Sequence, residues 1–214
     1  MSKPKIINLT KSLPKHPTRK YKTRNLSNIK GIVVHCTDND WTVEELVQRD
    51  ITSGKNNPVS SKGCPECTYH GFVDKDGTIY QTVDYNKVSW HAAGYNSKTV
   101  GVVIRYMATG NENPPPTVQL NSLYKLLAEL ALSFHIKPDS LHLRGHRELQ
   151  GTGFIIKQGH KRLKKTCPGM LVSLDHMRLQ TSKLMQKRLK KSGYYNGAID
   201  GLFGPKSLKA LAKW

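Results

Sequence analysis

The stretch Ile-Lys-Gly-Ile-Val-Val-His-Cys-Thr at positions 29–37 decides the fold class of this chain. Its apolar run at 32–34 leads directly into a histidine, which is typical of a buried strand whose end reaches a cleft. A second apolar run at 100–106 predicts another buried strand. Two segments with the apolar spacing of an amphipathic helix, at 42–50 and 118–135, follow these strands. The residues at 37–40, Thr-Asp-Asn-Asp, resemble a helix N-cap.

A hairpin is predicted between the two buried strands. Alternating runs at 69–73 and 78–83 flank the turn Asp-Lys-Asp-Gly at 74–77. A further short strand is expected at 140–144. Because strands alternate with helices and one pair is antiparallel, the fold class is predicted as α/β, with a mixed central β-sheet flanked by helices and a small all-helical C-terminal module.

Three regions are expected along the chain. Residues 1–28 contain prolines and basic residues without a sustained apolar period, which predicts an irregular basic arm. Residues 29–175 contain the strands and helices described above and form the main domain. The pattern resets after about residue 176, so residues 176–214 are predicted as a separate helical module, in which Pro205 suits the first position of the last helix.

The charge of the chain restricts its partners without choosing one. Its 214 residues contain 34 Lys and Arg against 15 Asp and Glu, a net charge of +19, which attracts polyanions. No basic zipper, helix-turn-helix or aromatic RNA motif accompanies this charge, so nucleic acid is not expected as a partner. No stretch approaches the roughly 20 apolar residues of a membrane span. The basic N-terminus lacks the apolar centre of a secretory signal, which predicts synthesis in the cytoplasm.

Three residues suit a metal site. His35 ends the first buried strand, His146 follows the short strand at 140–144, and Cys167 precedes Pro-Gly in a loop. Two imidazoles and a thiolate are a suitable ligand set for Zn²⁺, and a fourth position left to water makes such a site catalytic. Each residue alone would more often be structural. Spacing alone also allows His142 or His160 in place of His146.

The remaining cysteines have structural interpretations. Cys36 alternates with His35 along the strand and should therefore point to the other, core-facing side. Cys64 and Cys67 form a Cys-x-x-Cys pair, which is half of a zinc site without its other half. A local disulfide, two free thiols or a loop staple are all favoured over a second metal.

Five short motifs resemble those of one enzyme family, in the family's order. They are Val-His-Cys-Thr at 34–37, Tyr-His-Gly-Phe-Val at 69–73, Trp-His-Ala-Ala-Gly-Tyr-Asn at 90–96, Gly-His-Arg-Glu at 145–148 and Lys-Thr-Cys-Pro-Gly at 165–169. This set resembles the zinc-dependent N-acetylmuramoyl-L-alanine amidases, which include amidase-type phage lysozymes and the peptidoglycan recognition proteins. The resemblance implies hydrolysis of the amide bond that joins the lactyl group of N-acetylmuramic acid to L-alanine of the stem peptide.

The resemblance also implies roles for individual residues. His35, His146 and Cys167 match the three ligands of one zinc ion, whose fourth position holds water. Tyr69 matches a tyrosine near that water, where it would orient the water or pass a proton to the leaving nitrogen. Lys165 matches a lysine whose fixed charge would stabilise the tetrahedral oxyanion.

Three further residues carry weaker implications. His91 and Asn96 match a segment that lines the substrate cleft in relatives, although a packing role for the histidine stays open. Glu148 is open between orienting His146 and pairing with a neighbouring arginine.

The C-terminal module resembles the small helical peptidoglycan-binding domain, on residues 186–189, 193–195, 200–204 and the helix that ends at Trp214. Bacterial peptidoglycan is therefore the expected partner, with adhesion to anionic wall polymers or lipopolysaccharide assisted by the positive charge. The protein is expected to be a monomer. A wall hydrolase with a binding module and no signal peptide resembles a phage endolysin, made in the cytoplasm and released to the wall through a holin-type lesion.

Three alternatives remain open from the sequence. A host amidase for wall recycling would use the same chemistry. A non-catalytic peptidoglycan-recognition protein of the same fold would be expected to lack a metal ligand. A basic nucleic-acid-binding protein would be expected to close a structural zinc site with a fourth protein ligand.

Overall fold

The computed structural model describes residues 3–110, 113–151 and 166–214. Within these residues the chain forms six strands: β1 (Ile6–Asn8), β2 (Gly31–Cys36), β3 (Gly71–Val73), β4 (Ile79–Gln81), β5 (Thr99–Ile104) and β6 (Leu143–Gly145). The α-helices of the described residues are α1 (Val43–Ile51), α2 (Thr117–Ser133), α3 (Leu174–Lys191) and α4 (Pro205–Lys213), and short 3-10 helices lie at Leu26–Asn28 and His146–Gly151.

All six strands belong to one mixed sheet, in the order β1-β4-β3-β5-β2-β6. Strands β3 and β4 are antiparallel, whereas every other neighbouring pair is parallel. The predicted mixed α/β fold is confirmed. Since β2 lies between β5 and β6 and runs parallel to both, the carboxyl ends of these three strands reach the same edge of the sheet.

Helices cover both faces of the sheet. On one face, alternate residues of β2 such as Ile32 and Val34 join Leu123 and Leu127 of α2 in a buried cluster. On the other face, Leu46 of α1 packs in a second cluster with residues of β3 and β5. All six residues of β2 are buried, because a central strand covered on both faces has no solvent side.

The prediction of an irregular N-terminal arm is wrong for part of residues 1–28. Ile6–Asn8 forms strand β1, which pairs in parallel with Ile79–Gln81 and extends the sheet at its edge. Farther along the arm, Tyr21 is buried and its hydroxyl donates to the backbone oxygens of Glu66 and Cys67. A strand of three residues gives no periodic signal, and its partner is more than seventy positions away, so the sequence conceals it.

The predicted hairpin and the two predicted helices of the main domain are present, with small shifts at their ends. The hairpin turn closes through a hydrogen bond from Gly77 N–H to the Asp74 oxygen at 3.0 Å, and Gly77 has a φ of 86°, which favours glycine. The cap of α1 differs from the expectation at 37–40. Thr42 is its N-cap, in a reciprocal capping box with Glu45.

Helix α3 spans the predicted boundary between residues 175 and 176. It begins at Leu174, and its buried residues Met177 and Met185 join the same cluster as α2. Arg188 of α3 also pairs with Glu129 of α2. A continuous helix therefore connects the main domain to the C-terminal segment, and the division into a catalytic domain and a separate module stays a prediction.

The C-terminal segment is organised around one glutamine. The side-chain oxygen of Gln186 accepts from Gly201 N–H at 2.8 Å, and its amide nitrogen lies 2.9 Å from an oxygen of Asp200. These contacts tie α3 to the turn before α4, which begins at Pro205 as predicted. Among the described residues, no helix combines the length and apolar character needed to cross a membrane.

Candidate functional site

The three predicted metal ligands meet at the carboxyl edge of the sheet. His35 is the fifth residue of β2, His146 directly follows β6, and Cys167 lies in the loop before α3. One potential ligand atom from each residue lies within 4.8 Å of the others. Among the described residues, this is the one group of three or more histidine, cysteine or carboxylate side chains so arranged.

The chemistry and spacing of this cluster fit a zinc ion. The Cys167 sulfur lies 3.7 Å from His35 Nδ1, and two donor atoms bound to the same tetrahedral zinc lie about 3.5 Å apart. The pKa of Cys167 is well below its usual range, chiefly because of a hydrogen bond with the Cys36 side chain and also through hydrogen bonds with His146 and His35. A lowered pKa favours the thiolate, which is the form of cysteine that binds metal.

The loop that carries Cys167 is fixed to the segment that carries His146. Arg147 N–H donates to the Cys167 oxygen at 2.8 Å. The guanidinium of Arg147 donates to the backbone oxygens of Gly169 and, at 2.8 Å, of Val172. This single arginine therefore positions two ligands that lie twenty-one residues apart in sequence.

Cys36 lies in the hydrophobic core between the sheet and α2, as the alternation of β2 predicts. Its backbone N–H also donates to the Cys167 sulfur at 3.3 Å. The hydrogen bond with Cys167 is the main reason why the pKa of Cys36 is raised, with burial as the second. The Cys36 backbone N–H and side chain are therefore placed to stabilise negative charge on the Cys167 sulfur.

Tyr69 lies beside the cluster, as expected for a residue near the metal. Its ring centroid is 5.0 Å from that of His35. Burial, and then the charge of Cys167, raise the pKa of Tyr69. The phenol therefore keeps its proton, so it can donate a hydrogen bond or a proton in the site, and its oxygen can also accept a hydrogen bond.

Lys165, the second predicted catalytic residue, lies outside the described residues, as does His160. His142 is described, and it is not part of the cluster: its Nδ1 pairs with Asp139 at 2.6 Å. Glu148 accepts from Gly145 N–H at 3.0 Å and from Arg178 of α3. The predicted pairing of Glu148 with Arg144 or Arg147 is therefore wrong, because its arginine partner is Arg178, thirty positions along the chain.

His91 and Asn96, the predicted substrate-binding residues, both make contacts within the protein. His91 is only 6% exposed, and its Nδ1 lies 3.2 Å from His35 Nε2. The Asn96 side-chain oxygen accepts from Ala92 N–H at 2.7 Å, which closes the turn between them. Contact of either residue with substrate stays a prediction.

A second buried histidine, His70, lies beneath His91. Its Nδ1 accepts from Gly101 N–H at 3.1 Å, and its Nε2 lies 3.0 Å from the Lys87 oxygen. Burial lowers the pKa of His70 to about 3 and that of His91 well below its ordinary value. Both rings are therefore neutral.

Cys64 and Cys67 are free thiols, 0% and 1% exposed. Cys64 N–H donates to the Asp50 oxygen at 2.7 Å, and the hydroxyl of Tyr21 donates to the Cys67 oxygen at 3.0 Å. Burial raises the pKa of Cys64 to about 12. Of the alternatives left open, the structure shows free thiols in a packed loop.

Sequence reasoning missed the residues that hold the site together. Arg24 donates to the backbone oxygens of Tyr85, Asn96 and Thr99, at 3.0, 2.8 and 2.7 Å respectively. It thereby joins the N-terminal segment to the loop that carries His91. An isolated arginine in a chain with 34 basic residues gives no signal that could have identified it.

The comparisons with known proteins agree with this arrangement. Residues 25–170 match the family described as N-acetylmuramoyl-L-alanine amidase. An endolysin of Klebsiella phage KP32 is 28% identical over 158 residues, which cover 68% of this chain and 90% of that protein. Peptidoglycan-recognition protein SC2 of Drosophila simulans is 26% identical over 134 residues, covering 61% of this chain and 70% of that protein.

Solved structures are also similar in fold. N-acetylmuramoyl-L-alanine amidase LysC from Clostridium intestinale aligns over 82% of this chain and 95% of its own length, with a TM-score of 0.56 and 22% identity. Identity at that level is evidence about the fold alone.

Proposed function

Since this chain belongs to the N-acetylmuramoyl-L-alanine amidase family and is a peptidoglycan amidase, we propose that its activity depends on one zinc ion held by His35, His146 and Cys167. The observation that carries the proposal is the convergence of two imidazoles and a thiolate within 4.8 Å. Three protein ligands leave a position for water, as in catalytic zinc sites. The bond cleaved is the amide between the lactyl group of N-acetylmuramic acid and L-alanine.

Zinc and Tyr69 have different proposed roles in this hydrolysis. Zinc, when bound, would supply the Lewis acidity that activates water and polarises an amide carbonyl. Tyr69, protonated and next to His35, would donate a hydrogen bond in the site and supply a proton to the leaving nitrogen. In the overall reaction the water oxygen bonds to the lactyl carbon, the carbon–nitrogen bond breaks, and the amine leaves with a proton.

Lys165 is proposed as the residue that stabilises the oxyanion. The support is its sequence position: it lies two residues before Cys167, and two residues span at most about 7 Å of chain. A fixed positive charge next to a developing negative charge stabilises the transition state more than the ground state.

The test is digestion of purified peptidoglycan followed by labelling of new amino termini. We expect new L-alanine termini, which disappear after treatment with a chelator and return when zinc is added. Cys167→Ala should abolish them, and Cys64→Ala, which changes a buried thiol outside the cluster, should not. New reducing sugar ends would show a glycosidase, and activity unchanged by the chelator would refute the zinc dependence.

We further propose that the C-terminal segment binds the cell wall. A surface groove of about 390 Å³ is lined by Tyr194, Asn196 and three lysines of α4, namely Lys206, Lys209 and Lys213. Residues 176–214 contain nine Lys and Arg and a single acidic residue, Asp200. This charge complements anionic wall polymers, phosphate groups of lipopolysaccharide and the carboxylates of stem peptides.

Binding is measured by cosedimentation of the full chain with purified wall. Replacing Lys206 and Lys209 together with Gln should weaken binding, and the loss should shrink at high salt because exposed charges are screened. The matched control replaces Lys187 and Lys190, two exposed lysines of α3, with Gln. Equal losses in both variants would mean that net charge, and not this groove, determines adhesion.

The site of action follows from the same proposal. The substrate lies outside the cytoplasmic membrane, and we propose that the protein reaches it through a membrane lesion of the holin type, as a phage endolysin does. A host recycling amidase is the alternative. External addition to whole cells, with and without permeabilisation, separates the need for a lesion from wall specificity.

A further inference from the structure

We infer that His91 is a positioning residue for the metal ligand His35, which it orients through a directed chain of hydrogen bonds. The inference rests on the proposed function, because it concerns the ligand set of that zinc site. His91 is buried, and its ring meets that of His35 nearly at right angles, with centroids 5.3 Å apart. Its Nδ1 is 3.2 Å from His35 Nε2, so the two nitrogens form one hydrogen bond.

The direction of that bond follows from the other nitrogen of His35. His35 Nδ1 faces the Cys167 sulfur at 3.7 Å, which makes it the nitrogen on the side of the cluster. A nitrogen that binds a metal carries no hydrogen, so the hydrogen of a neutral His35 lies on Nε2. His35 Nε2–H therefore donates, and His91 Nδ1 accepts.

The next bonds keep His91 in the accepting tautomer. With Nδ1 as the acceptor, the hydrogen of His91 lies on Nε2, 3.2 Å from the hydroxyl oxygen of Thr99. The Thr99 backbone oxygen is farther, at 3.4 Å, and already accepts from Arg24 at 2.7 Å. The Thr99 hydroxyl itself donates to the Tyr95 oxygen at 2.8 Å. Its lone pair is thus available, and the chain runs from His35 through His91 and Thr99 to the Tyr95 backbone.

The fold makes room for this ring. A Cβ atom on Gly101 would lie 2.5 Å from Cγ of His91, so only glycine at this position of β5 lets the ring lie against the strand. Gly101 lies in the strand that pairs with β2, where His35 is located. The ring of His91 therefore packs between the backbone of β5 and the ring of His35, which it orients. Partners of this kind, which bind the second nitrogen of a ligating histidine, fix its tautomer and raise its basicity.

The inference gives His91 a different role from contact with substrate. A residue that contacts only substrate changes KM and leaves the affinity for zinc unaltered. A positioning residue changes the affinity for zinc in the absence of substrate. The two roles are therefore separated by a measurement that needs no turnover.

The experiment compares His91→Asn with His91→Leu in the full chain. Asparagine and leucine have nearly the same size and shape, but only asparagine places an acceptor near the position of the ring Nδ1. Zinc affinity is measured by competition with a chromogenic chelator, and the electronic spectrum of the Co²⁺-loaded protein reports the ligand geometry. Urea unfolding of the metal-free variants controls for stability.

We expect His91→Leu to weaken zinc binding about 10- to 100-fold and to alter the Co²⁺ spectrum, with His91→Asn restoring most of both. Equal zinc affinities in the two variants would overturn the inference. If His91→Leu does not fold, Thr99→Val replaces it, since it removes the hydroxyl that accepts from His91 and donates to the Tyr95 oxygen; unchanged zinc affinity in that variant would be equally contrary. Failure of the wild-type chain to bind Zn²⁺ or Co²⁺ would instead refute the proposed function.

Discussion

The guanidinium of Arg178 on α3 donates a hydrogen bond to the carboxylate of Glu148, which lies two residues beyond His146, one of the proposed metal ligands. From Nε, the same arginine donates to the Leu143 oxygen of β6 at 2.9 Å. Arg178 thus fixes both the strand that leads into His146 and the 3-10 helix that follows from it. A residue from the helix at the start of the C-terminal segment supports the metal cluster.

Replacing Arg178 with Met should therefore lower both the free energy of unfolding and the affinity for zinc. Arg178 is only 8% exposed, and its loss leaves Glu148 without a charged partner, which we expect to cost about 2 kcal/mol of unfolding free energy. Zinc affinity should also fall, because His146 loses part of its support. Urea unfolding and chelator competition measure the two effects. Lys187→Met, on the exposed side of the same helix, is the control and should match the wild-type chain in both.

Truncation distinguishes a continuous helix from a separable module. A chain that ends after residue 175 loses Arg178 and the buried Met177 and Met185, so it should be poorly soluble or unfold at a much lower temperature. A chain that ends after residue 193 keeps all of α3 and should retain zinc and amidase activity, with weaker binding to wall. Thermal unfolding and zinc content provide the comparison. Equal stability of the shorter chain and the full chain would support the boundary at residue 175.

Tyr69→Phe removes the hydroxyl and keeps the ring that packs beside His35. Proton transfer by a positioned group contributes about 10²- to 10⁴-fold to rate, so kcat on a soluble muramyl peptide should fall by a factor in that range. Zinc affinity should stay unchanged, since the phenol is not a ligand. Tyr80→Phe, on β4, serves as the matched control. Wild-type kcat in Tyr69→Phe would remove Tyr69 from the catalytic residues.

His70 predicts how stability depends on pH. Its pKa is about 3 in the folded chain and near the ordinary value of 6.5 when unfolded, so between these values the unfolded state binds more protons. The neutral ring of His70 therefore stabilises the fold fully at pH values above its pKa in the unfolded chain. Below that pKa the free energy of unfolding decreases, by about 2 kcal/mol between about pH 7 and about pH 5. Urea unfolding with a chelator present isolates this effect from metal binding.

His70→Gln supplies the control for that measurement, because glutamine does not titrate. The variant should be less stable at neutral pH. Its free energy of unfolding should also decrease less steeply with falling pH, and the difference in slope should correspond to close to one bound proton. Parallel pH profiles for the wild-type chain and the variant would show that His70 is protonated to the same extent in both states.

Local chemistry explains what the sequence could predict. The turn at 74–77 and the apolar spacing of the helix at 118–135 are signals within a few residues, and both elements are present. The proposed metal ligands could be identified as candidates because the motifs around His35, His146 and Cys167 occur in a known order. In each case the information lies in neighbouring positions.

The features that the sequence could not predict depend on contacts between residues that are distant along the chain. The pairing of β1 with β4 joins segments that share no pattern, and the partners of Arg24 and Arg178 are backbone oxygens, which have no sequence signature. His91 had two interpretations because its motif is equally compatible with a ring in the cleft and a ring beneath it. Only the fold shows that Gly101 leaves space for the ring on the His35 side.

Because the four cysteines differ in burial, the rate at which the protein is alkylated should depend on whether metal is bound. Cys36, Cys64 and Cys67 are buried, whereas Cys167 is partly exposed and its pKa is lowered, chiefly by the hydrogen bond with Cys36. An alkylating reagent should therefore modify Cys167 first, and metal bound to its sulfur should block the reaction. Mass spectrometry of briefly alkylated samples would then count the fraction of molecules without metal, in a crude lysate as well as in purified protein.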